Sequence, residues 1–158
     1  MPYQKWLSVD ESMIPYYGRI GCKQFIRGQP IRFGYKLWSL SSPTGYMYHM
    51  EPYCGVHTHL PETGLGQVPS LVLVLAEQAE VPPGCNFVHD NLFTSLSLIN
   101  EMTKREYWCE RSMRPCRLHD VPFKDVKNFQ KMARGSSEVL TQGKKLLVRW
   151  KDNDVVTM

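Results

Sequence analysis

Trp6-Leu7-Ser8-Val9-Asp10-Glu11-Ser12 and Cys85-Asn86-Phe87-Val88-His89-Asp90-Asn91 decide how this chain reads. In each, an apolar run of strand formers ends on an aspartate and gives way to polar, turn-forming residues. Two strands that each deliver a carboxylate at the carboxyl edge of one sheet are what metal-dependent phosphoryl transfer requires. Side by side, two carboxylates repel each other unless a cation lies between them. The expectation is a shared divalent metal, Mg2+ or Mn2+, held by Asp10 and Asp90. No third carboxylate in a similar setting follows, so the core reads as cut short.

Outward from the first aspartate, Trp6 to Asp10 reads as a short strand with Asp10 at its exit. The segment from Ser12 to Met50 contains no Asp or Glu, yet holds Arg19, Lys23, Arg27, Arg32 and Lys36. Tyr16, Tyr17, Phe25, Phe33, Tyr35 and Trp38 are interleaved with those bases, so the segment can pack through its rings while its cations face a polyanion. Scattered cations usually mean a solvated face. Their closeness in sequence to Asp10 and the lack of acids favour phosphate contact, which makes these five the candidate DNA-binding residues.

Ile31 to Leu40 and Tyr46 to Tyr53 read as two further strands around the turn Ser42-Pro43-Thr44-Gly45, giving an antiparallel meander of three. Leu71-Val72-Leu73-Val74-Leu75 is ambiguous by periodicity; Gly66, Pro69 and a capping Ser70 favour a helix to about Gln78. Val81-Pro82-Pro83-Gly84 stops it, and the run to Asp90 is a buried strand. Thr94 or Ser95 then caps a helix with Leu96, Ile99 and Met102 on one face. Glu106 to Glu110 is a fifth strand, Arg111 to Arg134 loses periodicity, and Gly135-Ser136-Ser137 is a break. Lys145 to Lys151 and Val155 to Met158 form a hairpin around Asp152-Asn153-Asp154, whose acids are turn residues and no substitute for a third ligand.

With 158 residues, 42% of them hydrophobic and 22% charged, the chain can bury a core of its own and is neither disordered nor a membrane protein by composition. The longest apolar run, Leu71 to Ala76, is too short to span a bilayer, and the N-terminus has no apolar signal core. Five cysteines, an odd number, point to reduced thiols in the nucleus or cytosol. Cys54, His57 and His59, with Cys116 and His119, are zinc-ligand types, but their spacing matches no zinc module, and zinc is not the favoured reading. His89 reads as a partly buried strand histidine, since two-metal chemistry needs no such base.

Three antiparallel strands, a helix, a fourth strand and a second helix are the opening of a ribonuclease-H-like α/β fold: a mixed sheet with flanking helices. The motifs sharpen this. Leu7-Ser8-Val9-Asp10-Glu11-Ser12-Met13-Ile14-Pro15 with Gly18-Arg19, Lys23-Gln24-Phe25-Ile26, Gly34-Tyr35-Lys36-Leu37-Trp38, Gly64-Leu65-Gly66, Asp90-Asn91-Leu92-Phe93-Thr94-Ser95, Arg134-Gly135-Ser136 and Trp150 to Met158 together resemble piggyBac-type transposases and piggyBac-derived proteins. The likeness runs over essentially the whole chain.

The resemblance implies a DNA transposase core of the three-aspartate type, with Asp10 and Asp90 as the first two catalytic, metal-binding aspartates. It implies duplex DNA as partner (transposon ends and TTAA targets), a homodimer in the full-length parent, and a nuclear location, although no import signal is evident here. The family's third aspartate lies in a downstream Gly-Val-Asp setting, so the isolated chain is expected to be an inactive fragment. On this reading residues 1–110 are the catalytic core and 111–158 the start of a truncated, β-containing insertion. Trp108-Cys109-Glu110-Arg111 departs from the family's Gly-Thr-Val-Arg strand. The alternative is a domesticated, non-catalytic DNA-binding or protein-interaction module.

Overall fold

The computed structural model describes residues 3–55, 58, 60–61, 63–118 and 121–158. Its main sheet is built on β1 (Trp6–Pro15), which pairs antiparallel with β3 (Phe33–Ser41) on one side and parallel with β5 (Asn86–His89) on the other. β6 (Trp108–Cys109) adds to β5 in parallel. On its far edge β3 carries two partners, β2 (Gln24–Phe25) at its start and β4 (Met47–Pro52) along the rest. The order β4-β3-β1-β5-β6 is a mixed sheet, antiparallel at one side and parallel at the other.

A parallel neighbour needs a crossover, and α1 (Gln67–Gln78) supplies it between β4 and β5. Its Leu71-Val72-Leu73-Val74-Leu75-Ala76 run is buried throughout. A helix sealed on all sides shows no apolar stripe, which is why periodicity left the segment ambiguous. Gly66, with positive φ, starts the helix, and Pro69 sits in the first turn, where no amide donor is needed. Ser70 is not the cap but lies inside the helix, its hydroxyl donating to the Gly66 carbonyl at 2.5 Å.

Ser95 caps α2 (Leu96–Lys104) as expected, accepting from the Leu98 amide at 3.1 Å. The buried face is set by Leu98 and Met102, however, with Leu96 and Ile99 only half-buried. One core joins Leu7, Val9 and Phe87 of the sheet to α1, Phe93 and α2.

Beyond the main sheet, β7 (Ser137–Gln142), β8 (Lys145–Lys151) and β9 (Val155–Thr157) make a three-stranded antiparallel sheet. The short helix α3 (Val126–Gln130) packs on it, its start capped by the Asp125 carboxylate. Phe123 and Phe129 sandwich the buried Arg149 guanidinium, which also donates to the Lys124 carbonyl and the Thr157 hydroxyl. The Asp152-Asn153-Asp154 turn is as read, with Asp152 paired to Arg134 rather than facing Asp10 or Asp90.

Four further sequence expectations are corrected. The first strand does not end at Asp10 but continues to Pro15, because its pairing with β3 runs from Ser8 to Pro15. The fifth strand shrinks from Glu106–Glu110 to two residues, Glu106 taking a positive φ of 60° that no strand accommodates. The stretch 111–134 contains α3 and a 3-10 turn at Pro115–Arg117. After Gly135-Ser136 the chain does not merely break; Ser137 opens β7, an amphipathic hairpin partner of β8.

Gly34 sits hard against β1: a Cβ there would lie 1.9 Å from the Ile14 carbonyl oxygen. Gly34→Ala is expected to prise apart this end of the ladder and destabilise the chain by about 2 kcal/mol. Gly21→Ala, with nothing within 4 Å of the added carbon, is the matched control and should leave the urea midpoint in place.

Candidate active site

The parallel register pairs Leu7 with Phe87 and Val9 with His89. All four side chains are buried, on the face covered by the helices. The next residue on each chain is an aspartate, Asp10 and Asp90, and both are exposed. Neighbouring strands are about 4.8 Å apart, so two residues far apart in sequence end as neighbours at the carboxyl end of the parallel pair.

Each carboxylate is anchored through one oxygen to its own backbone. Asp10 Oδ1 accepts from the Glu11 amide at 2.8 Å, and Asp90 Oδ1 accepts from the Asn91 amide at 2.6 Å. Among the described residues neither carboxylate has an ion-pair partner. Nor does a third His, Cys, Asp or Glu converge with them among those residues. Two adjacent acids with free oxygens and no protein cation fit a divalent ion, whose hard charge suits carboxylate and water ligands.

Supports for these acids come from residues that sequence reasoning missed. Ser39, opposite Asp10 on β3 and buried, donates its hydroxyl to the Asp10 carbonyl at 3.1 Å and contacts the Ser12 hydroxyl at 3.0 Å. The loop after Asp90 is gripped from the 3-10 turn region: Arg117 Nη1 donates to the Thr94 carbonyl at 2.6 Å, and Arg114 Nε to Asn91 Oδ1 at 3.0 Å. No spacing in the sequence links those arginines to Asp90, so no motif could have found them. The alternation of β3 could have suggested Ser39, had the register been known.

His89 is buried under Asp90, its Nδ1 within 3.3 Å of both the Asp90 carbonyl and the Thr94 hydroxyl. Burial pushes its pKa below the usual 6.5, against a smaller opposing contribution from the Asp90 carbonyl. A neutral buried imidazole that supports the loop agrees with the sequence reading.

The five candidate bases divide. Arg19, Arg27 and Arg32 are exposed, and Lys23 is half-buried, its ammonium donating to the Gly18 carbonyl and lying 5.8 Å from the Phe33 ring centre. None of the four forms an ion pair among the described residues. Lys36 is engaged instead, paired with Glu11 and seated 4.2 Å from the centre of the Trp38 ring. In the basic arm, residues 16–33, Tyr17 is 83% and Phe25 57% exposed, so its rings face outward as well as inward. The zinc reading turns partly on His57, His59 and His119, which lie outside the described residues. No helix among the described residues is long and apolar enough to cross a membrane.

This sheet order, with a helical crossover into a parallel strand, is that of a ribonuclease-H-like core. A family model described as Transposase IS4 matches residues 2–158, and the chain belongs to that family, in its piggyBac-type branch. It is 38% identical over 161 residues to human PiggyBac transposable element-derived protein 3, covering 100% of this chain and 27% of that protein. It is 33% identical over 163 residues to human PiggyBac transposable element-derived protein 2, covering 99% of this chain and 27% of the relative. The chain thus spans about a quarter of the length of these relatives. Its fold matches a piggyBac transposase solved in a synaptic complex with hairpin DNA, with a TM-score of 0.79 and 24% identity, over 98% of this chain and 32% of the other. Transposases of this type in general work with a divalent metal.

The buried His89 makes stability depend on pH with a definite sign. As pH falls through 6.5 the unfolded chain takes up a proton at this residue before the folded one does, so acid favours unfolding. In metal-free buffer, stability should fall from pH 7 to pH 5, and His89→Leu should flatten that slope, as measured by urea unfolding at each pH.

Proposed function

We propose that this chain is the metal-binding part of a DNA-transposase catalytic core, with Asp10 and Asp90 as its first two acidic ligands. The observation that supports the reading is the register of β1 on β5, whose last pair, Val9 with His89, directly precedes each aspartate, each of which has one carboxylate oxygen without a donor among the described residues. A divalent Mg2+ or Mn2+ held there would activate an attacking oxygen or stabilise a leaving one in phosphodiester cleavage. The chain's own residues hold and orient: Ser39 fixes the backbone at Asp10, while Arg114 and Arg117 fix the loop that follows Asp90. Because no group of three or more His, Cys, Asp or Glu side chains converges among the described residues, binding is weak and strand cleavage by this chain alone is negligible.

The partner on this reading is duplex DNA: transposon ends and, by family, TTAA targets. Arg19, Lys23, Arg27 and Arg32 supply phosphate contacts, Lys36 adding its charge from beneath. Support comes from their lack of protein counter-ions among the described residues and from the DNA bound by the similar piggyBac transposase. The setting is nuclear, the whole protein is a dimer, and the unit boundary falls near residue 110. A second reading, a derived DNA-binding or interaction module without cleavage, is favoured by the relatives, which are named transposable element-derived proteins.

Two measurements test this. Titration with Mn2+, followed by its electron paramagnetic resonance, should show one weak site, and Asp10→Asn or Asp90→Asn should weaken it about tenfold, or about 1.4 kcal/mol. Unchanged binding in both variants would remove the metal site. For duplex DNA, the logarithm of affinity should fall linearly with the logarithm of salt concentration. Replacing Arg19, Arg27 and Arg32 with Ala should reduce that slope by roughly 0.9 per base removed.

A further inference from the structure

Two half-buried thiols have no part in this chemistry, and the strand topology brings them together. β2 and β4 both lie on the edge of β3 that faces away from β1, and both run antiparallel to β3. β4 pairs Pro52 with Leu37, and the ladder continues one step as the Tyr53 amide donates to the Lys36 carbonyl at 2.9 Å. β2 pairs Gln24 with Gly34. Between the two strands only Tyr35 and Lys36 separate the paired positions on β3. The end of β4 therefore runs toward the start of β2, which brings Cys54, two residues past Pro52, and Cys22, two residues before Gln24, to the same stretch of the β3 edge.

Burial, with the Cys22 sulfur as a smaller contribution, raises the Cys54 pKa. Both residues are half-buried, neither carries a disulfide, and Cys22 also lies close to the Tyr35 hydroxyl. The other three cysteines have no such neighbour. Cys85 is buried, with its sulfur 3.9 Å from the Gln4 carbonyl oxygen. Burial pushes the Cys109 thiol up to about 11, and Cys116 is exposed on the 3-10 turn.

We propose that Cys22 and Cys54 are an oxidisable dithiol whose closure to a disulfide tethers the root of the basic arm to the end of β4. With a peroxide as oxidant, the Cys22 thiolate attacks one peroxide oxygen; the O–O bond breaks, leaving a sulfenic acid and hydroxide. The Cys54 sulfur then attacks the sulfenic sulfur, the S–O bond breaks, and the S–S bond forms. The two thiol protons leave in the two waters formed, and the peroxide takes up the two electrons that the sulfurs lose.

Closure would shut the arm, with Arg27 and Arg32 inside it, into a loop anchored on β3. A bond that forms without distorting the fold restricts the unfolded chain and raises stability. The linkage does not depend on the transposase reading; only an effect on DNA affinity would.

The purified chain is treated with hydrogen peroxide at neutral pH, blocked, and digested with trypsin and a glutamyl endopeptidase, which between them separate Cys54 from Cys85. Mass spectrometry should find the Cys22–Cys54 peptide as the dominant intramolecular link, lost on reduction and no longer preferred when oxidation is done in urea. Oxidation should also raise the thermal midpoint of the native chain and leave that of Cys54→Ser unchanged. Links distributed as in urea, independent conversion of both cysteines to sulfinic acids, or a midpoint that falls on oxidation would overturn the proposal.

Discussion

The parallel register of β1 on β5 is the constraint on which the rest depends. Leu7 and Val9 share a buried face with Phe87 and His89, so a slip of one residue would expose one set of side chains to water. Full burial of even one such side chain is worth roughly 1.5–3 kcal/mol, so the core holds this register against its neighbours. The aspartates inherit their position from that packing. They follow on neighbouring strands because the apolar residues before them pack in register, and no direct attraction between two carboxylates could have done it.

Much of the sheet was legible because its signals were local. Ser42-Pro43-Thr44-Gly45 marks the β3–β4 turn, and Ser95 both reads and serves as a helix cap. The first strand was read too short because Asp10-Glu11-Ser12 has turn-forming side chains. Pairing with β3 overrides that preference as far as Pro15, where one edge has no further ladder to satisfy. β7 was missed for a related reason: Ser137, Thr141 and Gln142 are polar, and only Val139 and Leu140 show strand character. Its existence is decided by β8 across the Gly143 turn, which takes a positive φ of 58°.

At the site, the two acids were legible because a carboxylate at the end of an apolar run is a local pattern. Their supports were not. Ser39 reaches Asp10 across the sheet, and Arg117 reaches the Asp90 loop from the other side of α2 in sequence. Such contacts depend on register and on a turn whose residues show no periodicity, so a single chain carries no mark of them. The same holds for Cys22 and Cys54, whose meeting follows from two strands sharing one edge of β3.

The charges around the site are sorted in a way that bears on its chemistry. Lys36 is committed to Glu11 and to the Trp38 ring, and Arg117 to backbone carbonyls. Lys36 and Arg117 thus have other partners, and among the described residues no cation forms an ion pair with Asp10 or Asp90. A lysine in salt contact with either carboxylate would compete with a metal ion and would have to be displaced at the cost of its own pairing. Arg19, Arg27 and Arg32, on the exposed arm, keep their charge for solvent or a polyanion instead. Acids free of protein cations and cations free of protein acids, both among the described residues, are what a protein needs if it is to hold a divalent ion and a phosphate backbone at once.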